Sequence, residues 1–270
     1  ARLSPMLIRA EHQLRICIGT KVEACGIQRE GEVFPIVDPP VIREAKSSCF
    51  VRPGLPFIER FRSRVEHDVA DGTSWQRALR HVREGSTALD ILVNNAGIQQ
   101  AKSIEEADLD DLRAHMRVNL GGVHLGTVRG IAAMAQRAGR PAGAIVNVIS
   151  TYGLVGEEFN APYCASKGAA QAVTQAAARY CRERRLPVRV NAVHPGCIMT
   201  PLVEREHRET LAKLPGGNAA ALWEEWRLEH PIGRLGRPAD IAAAVLFLVS
   251  DGAAAISGLD LPVDGGYLAQ

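Results

Sequence analysis

Tyr163 and Lys167 stand four residues apart, in the string Tyr163-Cys164-Ala165-Ser166-Lys167. On a helix, positions i and i+4 share one face, so the phenol and the ammonium can meet over one pocket. A free tyrosine titrates near about pH 10, and a neighbouring cation lowers this pKa towards neutrality, where a general acid or base works best. The spacing therefore predicts a proton-transferring tyrosine and a lysine that tunes it.

Ser150 follows an apolar run, residues 144–149, that has the length and composition of a buried strand. A residue in this place lies at the carboxyl edge of a sheet, where open α/β sheets bind ligands. We expect its hydroxyl to orient a substrate oxygen. A plain capping role, which is common for a serine at a strand end, stays open as the alternative.

Three further motifs accompany this trio, and two of them follow a strand-like apolar run. They are Asn94-Asn95-Ala96-Gly97, Val118-Asn119-Leu120-Gly121-Gly122 and Pro195-Gly196-Cys197-Ile198-Met199-Thr200-Pro201. In this order, and together with Ser150 and the Tyr-x-x-x-Lys pair, they resemble the short-chain dehydrogenase/reductase family in its single-domain branch. The resemblance runs from about Val65 to Gln270.

Strands and helices alternate at βαβ intervals from Val65 onward, which predicts the α/β class. We expect one domain over residues 1–270, a Rossmann-like, doubly wound parallel sheet in three α/β/α layers, with an irregular first βαβ region. Strands are predicted at 65–69, 89–93 and 259–263, and helices at 74–83, 108–138, 162–185 and 238–249. Four glycines in the second helix predict either close packing on a neighbouring helix or a break at Gly121.

Residues 1–64 depart from the family pattern, because the Gly-rich string that follows the first strand is missing. The nearest stretch, Ile16-Cys17-Ile18-Gly19-Thr20, lacks the required glycine spacing. Either a reading-frame shift or rearrangement upstream of Arg64 or a truly divergent segment explains this. Hydrogen bonds to a charged group contribute about 1.5–3 kcal/mol each, so lost phosphate contacts would weaken dinucleotide binding severely. A catalytically impaired scaffold is therefore the alternative function.

The resemblance implies an NAD(P)-dependent oxidoreductase that interconverts a secondary alcohol and a ketone. It gives Tyr163 the acid/base role, Lys167 the tuning of that tyrosine, Ser150 the substrate oxygen, and Asn119 a water in a proton relay. For Asn119, a packing or kink role is the alternative. The residues implied to bind NAD, or NADP as the second choice, are Asp68, Val69, Asn94, Ala96, Gly97, Tyr163, Lys167, Pro195, Gly196, Ile198 and Thr200.

Some of these positions have simpler interpretations. Asp68 can be a helix N-cap, and Asn94 can tie neighbouring strands. His194, which precedes Pro195, is interpreted as a structural side chain in a turn rather than a catalytic base. The choice between NAD and NADP normally depends on the end of the second strand, which lies in the unmatched segment.

Residues 202–230 form an insertion, divided by Pro215-Gly216-Gly217, that predicts two short helices and a hinge. The family uses this position as a lid over the substrate; an exposed connector is the alternative. Residues 153–156 and 263–270 are most similar to branches that act on hydroxysteroids and cyclic secondary alcohols. An epimerase or dehydratase is a third possibility, although the residues after Lys167 leave little room for the longer carboxyl-terminal domain of such enzymes.

The resemblance also implies a homo-oligomer, a dimer or tetramer, through the predicted helices at 108–138 and 162–185. The second of these carries small residues on one side. Composition limits other partners. The 270 residues carry a net charge of +2 and no long basic run outside 60–64, which argues against nucleic acid. No apolar stretch is long enough for a bilayer span. Six cysteines without C-x-x-C or zinc spacing predict no metal site and reduced thiols in a cytoplasmic chain without a signal peptide.

Overall fold

The computed structural model describes residues 64–84, 89–135 and 142–270, together with the backbone of 16–18 and 46–50. Its central sheet has five parallel strands in the order β1-β4-β5-β6-β7. A second sheet has two strands, β2 and β3, which are antiparallel. The strands are β1 (Ile16–Ile18), β2 (Lys46–Phe50), β3 (Arg64–Asp68), β4 (Ile91–Asn94), β5 (Gly143–Val148), β6 (Val188–Pro195) and β7 (Asp260–Val263).

Seven α-helices are present within the described part of the chain. They are α1 (Gly72–Glu84), α2 (Leu109–His115), α3 (Gly121–Met134), α4 (Ala161–Glu183), α5 (Pro201–Lys213), α6 (Ala219–Leu228) and α7 (Pro238–Val249). A π-helical turn, Met116–Leu120, joins α2 to α3, and a short 3₁₀ turn, Thr151–Gly153, follows Ser150. None of the helices in these ranges is both long and apolar enough to cross a membrane.

The predicted α/β class and parallel sheet are confirmed. Alternate residues along the strands face opposite sides, as the pleat requires. Leu92 and Ile145 belong to a core formed with α1, α3 and α4, whereas Val93 and Val146 belong to a core with α7. Buried apolar side chains therefore fill both interfaces of the sheet, which gives the expected three layers.

The structure corrects one prediction about the amino-terminal strands and adds one strand. Ile16–Ile18, treated above as the nearest match to the missing first strand, forms β1 and pairs in parallel with β4. The backbone groups of β1 thereby satisfy those of the β4 edge. The strand predicted at 65–69 lies outside the parallel sheet, because β3 pairs antiparallel with Lys46–Phe50. The neighbouring Gly19, Thr20, Gly26 and Gly31 lie outside the described residues.

The glycines of α3 pack closely on the sheet, and Gly126 also packs on Trp75 of the neighbouring helix α1, while the chain does not break at Gly121. A Cβ atom on Gly126 would lie 2.1 Å from Asn94 Oδ1, and one on Gly130 would lie 2.6 Å from a methyl carbon of Leu92. The helical path continues through Gly121, whose φ is −58°. The missing side chains thus let α3 approach β4, and the irregularity is placed one turn earlier, at the π-helical turn.

The insertion after β6 folds as predicted into two short helices, α5 and α6, separated at 214–218 with Gly216 at φ +70°. His207 of α5 holds them together, since its ring stacks on Trp223 of α6 with the centroids 3.9 Å apart. Elsewhere, the described cysteines, Cys164, Cys181 and Cys197, carry no disulfide, as expected.

Candidate active site

Ser150 lies two residues after the end of β5, and its hydroxyl caps the turn that follows. Its Oγ accepts a hydrogen bond from the Tyr152 amide at 3.2 Å, which caps the 3₁₀ turn. Its side chain also lies close enough to that of Tyr163 to affect the pKa of the phenol. The serine therefore serves as a cap and as a neighbour of the phenol at the same time, and the two interpretations do not exclude each other.

Tyr163 and Lys167 share the inner face of α4. The Lys167 ammonium lies 5.4 Å from the centroid of the Tyr163 ring and donates a hydrogen bond to the Val148 carbonyl at 3.2 Å. Helical periodicity places both side chains under the carboxyl end of β5, as the i, i+4 spacing predicts.

The protonation balance of this pair differs from the expectation. Burial raises the pKa of Tyr163, and the neighbouring Ser150 side chain opposes that rise. Burial also lowers the pKa of Lys167 to about 8. The predicted lowering of the Tyr163 pKa is therefore not what the fold produces, because removal of both groups from water outweighs their mutual effect.

Asn119 sits in the π-helical turn with no exposed surface, and its amide makes three hydrogen bonds. Its Oδ1 accepts from the Ile98 amide at 2.8 Å, and its Nδ2 donates to the Ile98 carbonyl and to Ser166 Oγ, each at 2.9 Å. Such turns often occur at functional sites. These bonds join the loop after β4 to Ser166 of α4, the residue that precedes Lys167. Asn119 therefore has a structural role in addition to any other.

A small cleft lies beyond the ends of β3 and β4. Val69, Asn94 and Ala96, three of the residues predicted to bind the cofactor, line it with Asn95 and Gly122. Asn94 also ties the strands together, since its Nδ2 donates to Asn147 Oδ1 on β5 at 2.8 Å.

Asp68 does not cap α1. Its Oδ1 accepts from the Ala70 amide at 2.9 Å, and the N-cap is Asp71, whose carboxylate accepts from the amides of Thr73 and Ser74. The carboxylate of Asp68 therefore stabilises the turn between β3 and α1, at the side of the cleft lined by Val69.

Gly97 passes close to α4 and the π-helical turn. A Cβ atom there would lie 3.3 Å from Asn119 Oδ1 and 3.5 Å from Lys167 Nζ. Just after β6, a Cβ atom on Gly196 would lie 2.9 Å from Asp264 Cα, which is a closer approach. Further on, Ile198 forms a bridge with Gly236 that uses the Cys197 carbonyl and the Met199 amide rather than its own groups.

Thr200 and Pro195 complete the predicted set at the same sheet edge. Thr200 is the N-cap of α5, and its Oγ1 accepts from the Val203 amide at 3.4 Å. Pro195 is the last residue of β6.

These residues fit a dinucleotide. The glycine backbones leave space beside Lys167, and one hydrogen bond is found for its three N–H donors among the described residues. Val69 and Ala96 would face the adenosine half, Lys167 the nicotinamide ribose, and Ile198 with Thr200 the nicotinamide. The contribution of the segment that should carry the Gly-rich loop lies outside the described residues.

His194 is structural, as expected, although it lies in β6 rather than in a turn. Its Nδ1 contacts the Ser150 carbonyl at 2.8 Å and its Nε2 contacts Asp260 Oδ1 at 3.0 Å, and the side chain has no exposed surface. With both ring nitrogens engaged, it fixes the backbone of Ser150 to β6 and β7.

Several polar side chains near Tyr163 were missed from the sequence. Asn160, the N-cap of α4, donates through Nδ2 to Glu206 Oε1 of α5 at 2.9 Å and to Glu157 Oε2 at 2.6 Å, and it accepts from Gln99 at 2.7 Å. Contacts between distant segments leave no local pattern. A helix N-cap just before the catalytic tyrosine was the one available signal.

Aromatic rings also surround the phenol. Tyr152 and His115 each meet the Tyr163 ring edge-on, with centroids 6.4 and 6.3 Å away, and Tyr152 also meets Tyr267 near the carboxyl terminus. The position of Tyr152, two residues after Ser150, could have indicated this role.

Comparisons with known proteins agree with this geometry. The family model described as enoyl-(acyl carrier protein) reductase matches residues 56–268. The NADP-dependent (R)-specific alcohol dehydrogenase of Lentilactobacillus kefiri is 36% identical over 206 residues, which cover 76% of this chain and 77% of that protein. The 3-beta-hydroxysteroid dehydrogenase of Comamonas testosteroni is 36% identical over 208 residues, 76% of each chain.

A cyclopentanol dehydrogenase from a Comamonas strain is 38% identical over 205 residues, 75% of each chain. Among solved structures, the ligand-free aldohexose dehydrogenase of Thermoplasma acidophilum superposes with a TM-score of 0.68 and 30% identity, over 76% of this chain and 78% of that one.

A parallel sheet with helices on both faces and a Ser, Tyr and Lys group at its carboxyl edge define an oxidoreductase of the Rossmann-like class. The chain belongs to the short-chain dehydrogenase/reductase family, whose members use NAD(P). Its first 55 residues lie outside the family match, in agreement with the departure of that segment noted above.

Proposed function

We propose that this protein is an NAD(P)-dependent oxidoreductase that interconverts a secondary alcohol and a ketone. The observation that carries the proposal is the convergence of three side chains. Ser150 lies close enough to the Tyr163 phenol to affect its pKa, and the Lys167 ammonium lies 5.4 Å from the centroid of the phenol ring. A substrate oxygen between Ser150 and Tyr163 receives two hydroxyl groups from opposite sides, which fixes the direction of the reacting carbon.

Tyr163 is the group that moves the proton. It gives its phenolic proton to the carbonyl oxygen in reduction and takes it back in oxidation, while Ser150 holds the same oxygen by a hydrogen bond. A bound NAD(P) supplies or accepts the hydride. Lys167 is the cation near Tyr163, and its position stabilises the phenolate that remains after proton donation.

Asn119 acts through its amide. It locks the loop after β4 against α4 and holds Ser166, so Lys167 keeps its place under the phenol. We propose further that a water bound near this turn connects Lys167 to solvent, which restores the proton after each cycle.

The substrate class follows from the site and from the relatives. The site residues Tyr152, Tyr163 and Tyr267 offer ring surfaces to an apolar body, and α5 with α6 serves as the lid over it. Named relatives act on cyclopentanol and on a 3-beta-hydroxysteroid. We propose a cyclic secondary alcohol as substrate and choose NAD as the cofactor to be tested first, with NADP beside it.

Oxidation of cyclopentanol and cyclohexanol, followed through the absorbance of the reduced nicotinamide, tests the proposal. We expect turnover with the native chain and none with Tyr163→Phe, together with a thermal shift on addition of NADH. A flat thermal response at millimolar NADH and NADPH, with no turnover, would reject the enzyme and favour the scaffold alternative. Conversion of a sugar nucleotide without net cofactor reduction would favour the epimerase alternative instead.

We also propose that two copies associate through α4. Its small residues Ala165, Ala172 and Ala176 are exposed, so a second helix can approach its backbone closely. Light scattering on the eluted protein tests this. Ala172→Arg should reduce the mass to that of one chain, and an unchanged mass would place the contact elsewhere.

A further inference from the structure

Glu206 is a carboxylate of the lid that faces the catalytic corner. Its residue is 9% exposed, on the inner side of α5, and its charge raises the pKa of both Tyr163 and Tyr152. Asn160 Nδ2 donates to its Oε1 at 2.9 Å. The proposed mechanism assigns this carboxylate no role, and a carboxylate is costly to bury without several donors.

Gln99 adds an acceptor to the same corner. Its residue is 4% exposed, and its Nε2 donates to Asn160 Oδ1 at 2.7 Å. Its Oε1 is buried and has no hydrogen-bond partner. Since buried polar atoms are almost always paired, an unpaired amide oxygen on a side chain that shares Asn160 with a buried carboxylate points to a missing donor.

This cluster has fewer hydrogen-bond donors than acceptors. Asn160 has two N–H groups, which serve Glu157 at 2.6 Å and Glu206 at 2.9 Å. Glu157 receives a second donor, the Phe159 amide, at 3.0 Å. Glu206 and Gln99 therefore still have oxygen atoms that can accept a hydrogen bond. Both side chains are held by Asn160, the N-cap of α4.

We propose that Glu206 and Gln99 form a subsite that binds a second hydroxyl group of the substrate, so that the preferred substrates are cyclic diols or hydroxyketones. This proposal rests on the proposed oxidoreduction at Tyr163. It specifies in addition that the substrate carries a second hydroxyl group near the reacting carbon. A hydroxyl group donates to Glu206 or Gln99 and also accepts from Glu206 when that carboxyl is protonated, whereas an ammonium pairs with the ionised form alone.

The protonation of Glu206 supports a hydroxyl rather than an amine. Burial, with Glu157 and Glu209 adding repulsion, raises the pKa of Glu206 to about 7. Both forms are therefore present near neutrality, and a hydroxyl group satisfies either one.

Rates with cyclohexanol and with cis- and trans-cyclohexane-1,2-diol test the subsite. In the native chain, we expect kcat/KM for at least one diol to exceed that for cyclohexanol by about 10-fold or more. The reason is that the second hydroxyl of the diol makes an additional hydrogen bond to a charged group. Glu206→Leu and Gln99→Met should each remove most of this preference and leave the rate with cyclohexanol within about 3-fold of native. Glu204→Gln, an exposed change on the same helix, is the matched control and should retain the preference.

The possible outcomes separate a failure of the subsite from a failure of the proposed function. Turnover of cyclohexanol without a preference for either diol in the native chain overturns the subsite and leaves the proposed function standing. A larger preference for 2-aminocyclohexanol than for the diols overturns the hydroxyl assignment. If Glu206→Leu unfolds, Glu206→Met, which keeps the length of the side chain and has no oxygen acceptor, takes its place. Equal diol preference in the native, Gln99→Met and Glu206→Met chains then counts against the proposal. Absence of any turnover concerns the proposed function instead.

Discussion

The Asn119 amide donates to Ser166 Oγ over 2.9 Å, and Ser166 Oγ in turn donates to the Tyr163 carbonyl at 2.7 Å. Both side chains are fully buried. This chain of hydrogen bonds joins the π-helical turn to the turn of α4 that carries Tyr163 and Lys167. The position of the catalytic helix therefore depends on a helical irregularity elsewhere in the sequence.

This relationship predicts energetic coupling between the two residues. Asn119→Ala and Ser166→Ala should each destabilise the fold, by about 1–3 kcal/mol, because each leaves buried partners unpaired. The double variant should be more stable than the sum of the two losses predicts, by about 0.5–3 kcal/mol. Urea unfolding of the four chains measures the coupling. Strict additivity would mean that the contact does not join the two elements.

The packing of α3 predicts opposite effects for two glycines on one helix. Gly126→Ala places a Cβ atom 2.1 Å from Asn94 Oδ1, so Asn94 must move and its bond to Asn147 is disturbed. We expect a loss of about 2–4 kcal/mol. Gly121→Ala meets only the Met116 carbonyl, at 3.6 Å, and should gain up to about 1 kcal/mol from helix propensity.

Urea midpoints of the two variants test the expected loss of stability in Gly126→Ala and the expected gain in Gly121→Ala. A gain in stability for Gly126→Ala would show that Asn94 relaxes freely and that the close approach of α3 to β4 is not required.

The candidate catalytic residues could be proposed from the sequence because their signals are local. The i, i+4 spacing of Tyr163 and Lys167 and the strand-end place of Ser150 are properties of single elements. The pairing of Glu206 with Asn160 joins two elements 46 positions apart, and no spacing rule encodes it. The antiparallel pairing of β3 was missed for the same reason, since a five-residue strand carries no mark of its partner's direction.

The pKa values could not be predicted because burial decided them. The i, i+4 spacing gives the charge of Lys167 and its distance from the phenol, and from these alone a lowered pKa follows for Tyr163. The burial of Tyr163 and Lys167 depends on how the sheet and the helices around them pack together. That burial reverses the direction for Tyr163 and sets the pKa of Lys167 near 8.

The role of Tyr163 predicts a selective loss of rate. Tyr163→Phe removes the proposed proton donor, so turnover should fall by about 10²–10⁴-fold while the far-UV circular dichroism stays unchanged. Tyr180→Phe is the matched control, because Tyr180 is on the same helix, 45% exposed, with its ring against Arg184. A native rate in Tyr163→Phe would remove this residue from the mechanism.

The buried ammonium of Lys167 predicts a conflict between function and stability that depends on pH. Its pKa falls from 10.5 to about 8 on folding. Below pH 8 the lysine is charged in both states, so the fold bears the full cost of burying the cation. As the pH rises from 8 towards 10.5, the folded state loses its proton first and the cost fades.

Lys167→Met should therefore abolish turnover and stabilise the fold by about 2–3 kcal/mol at pH 7, after allowance for the lost bond to Val148. The gain should shrink steadily between pH 8 and 10, because the native chain no longer bears the cost of the buried charge there. Urea unfolding of both chains at pH 7, 8, 9 and 10 measures this difference. A destabilised variant at pH 7, or a gain that stays constant up to pH 10, would show that the ammonium is paired well enough for its burial to cost little.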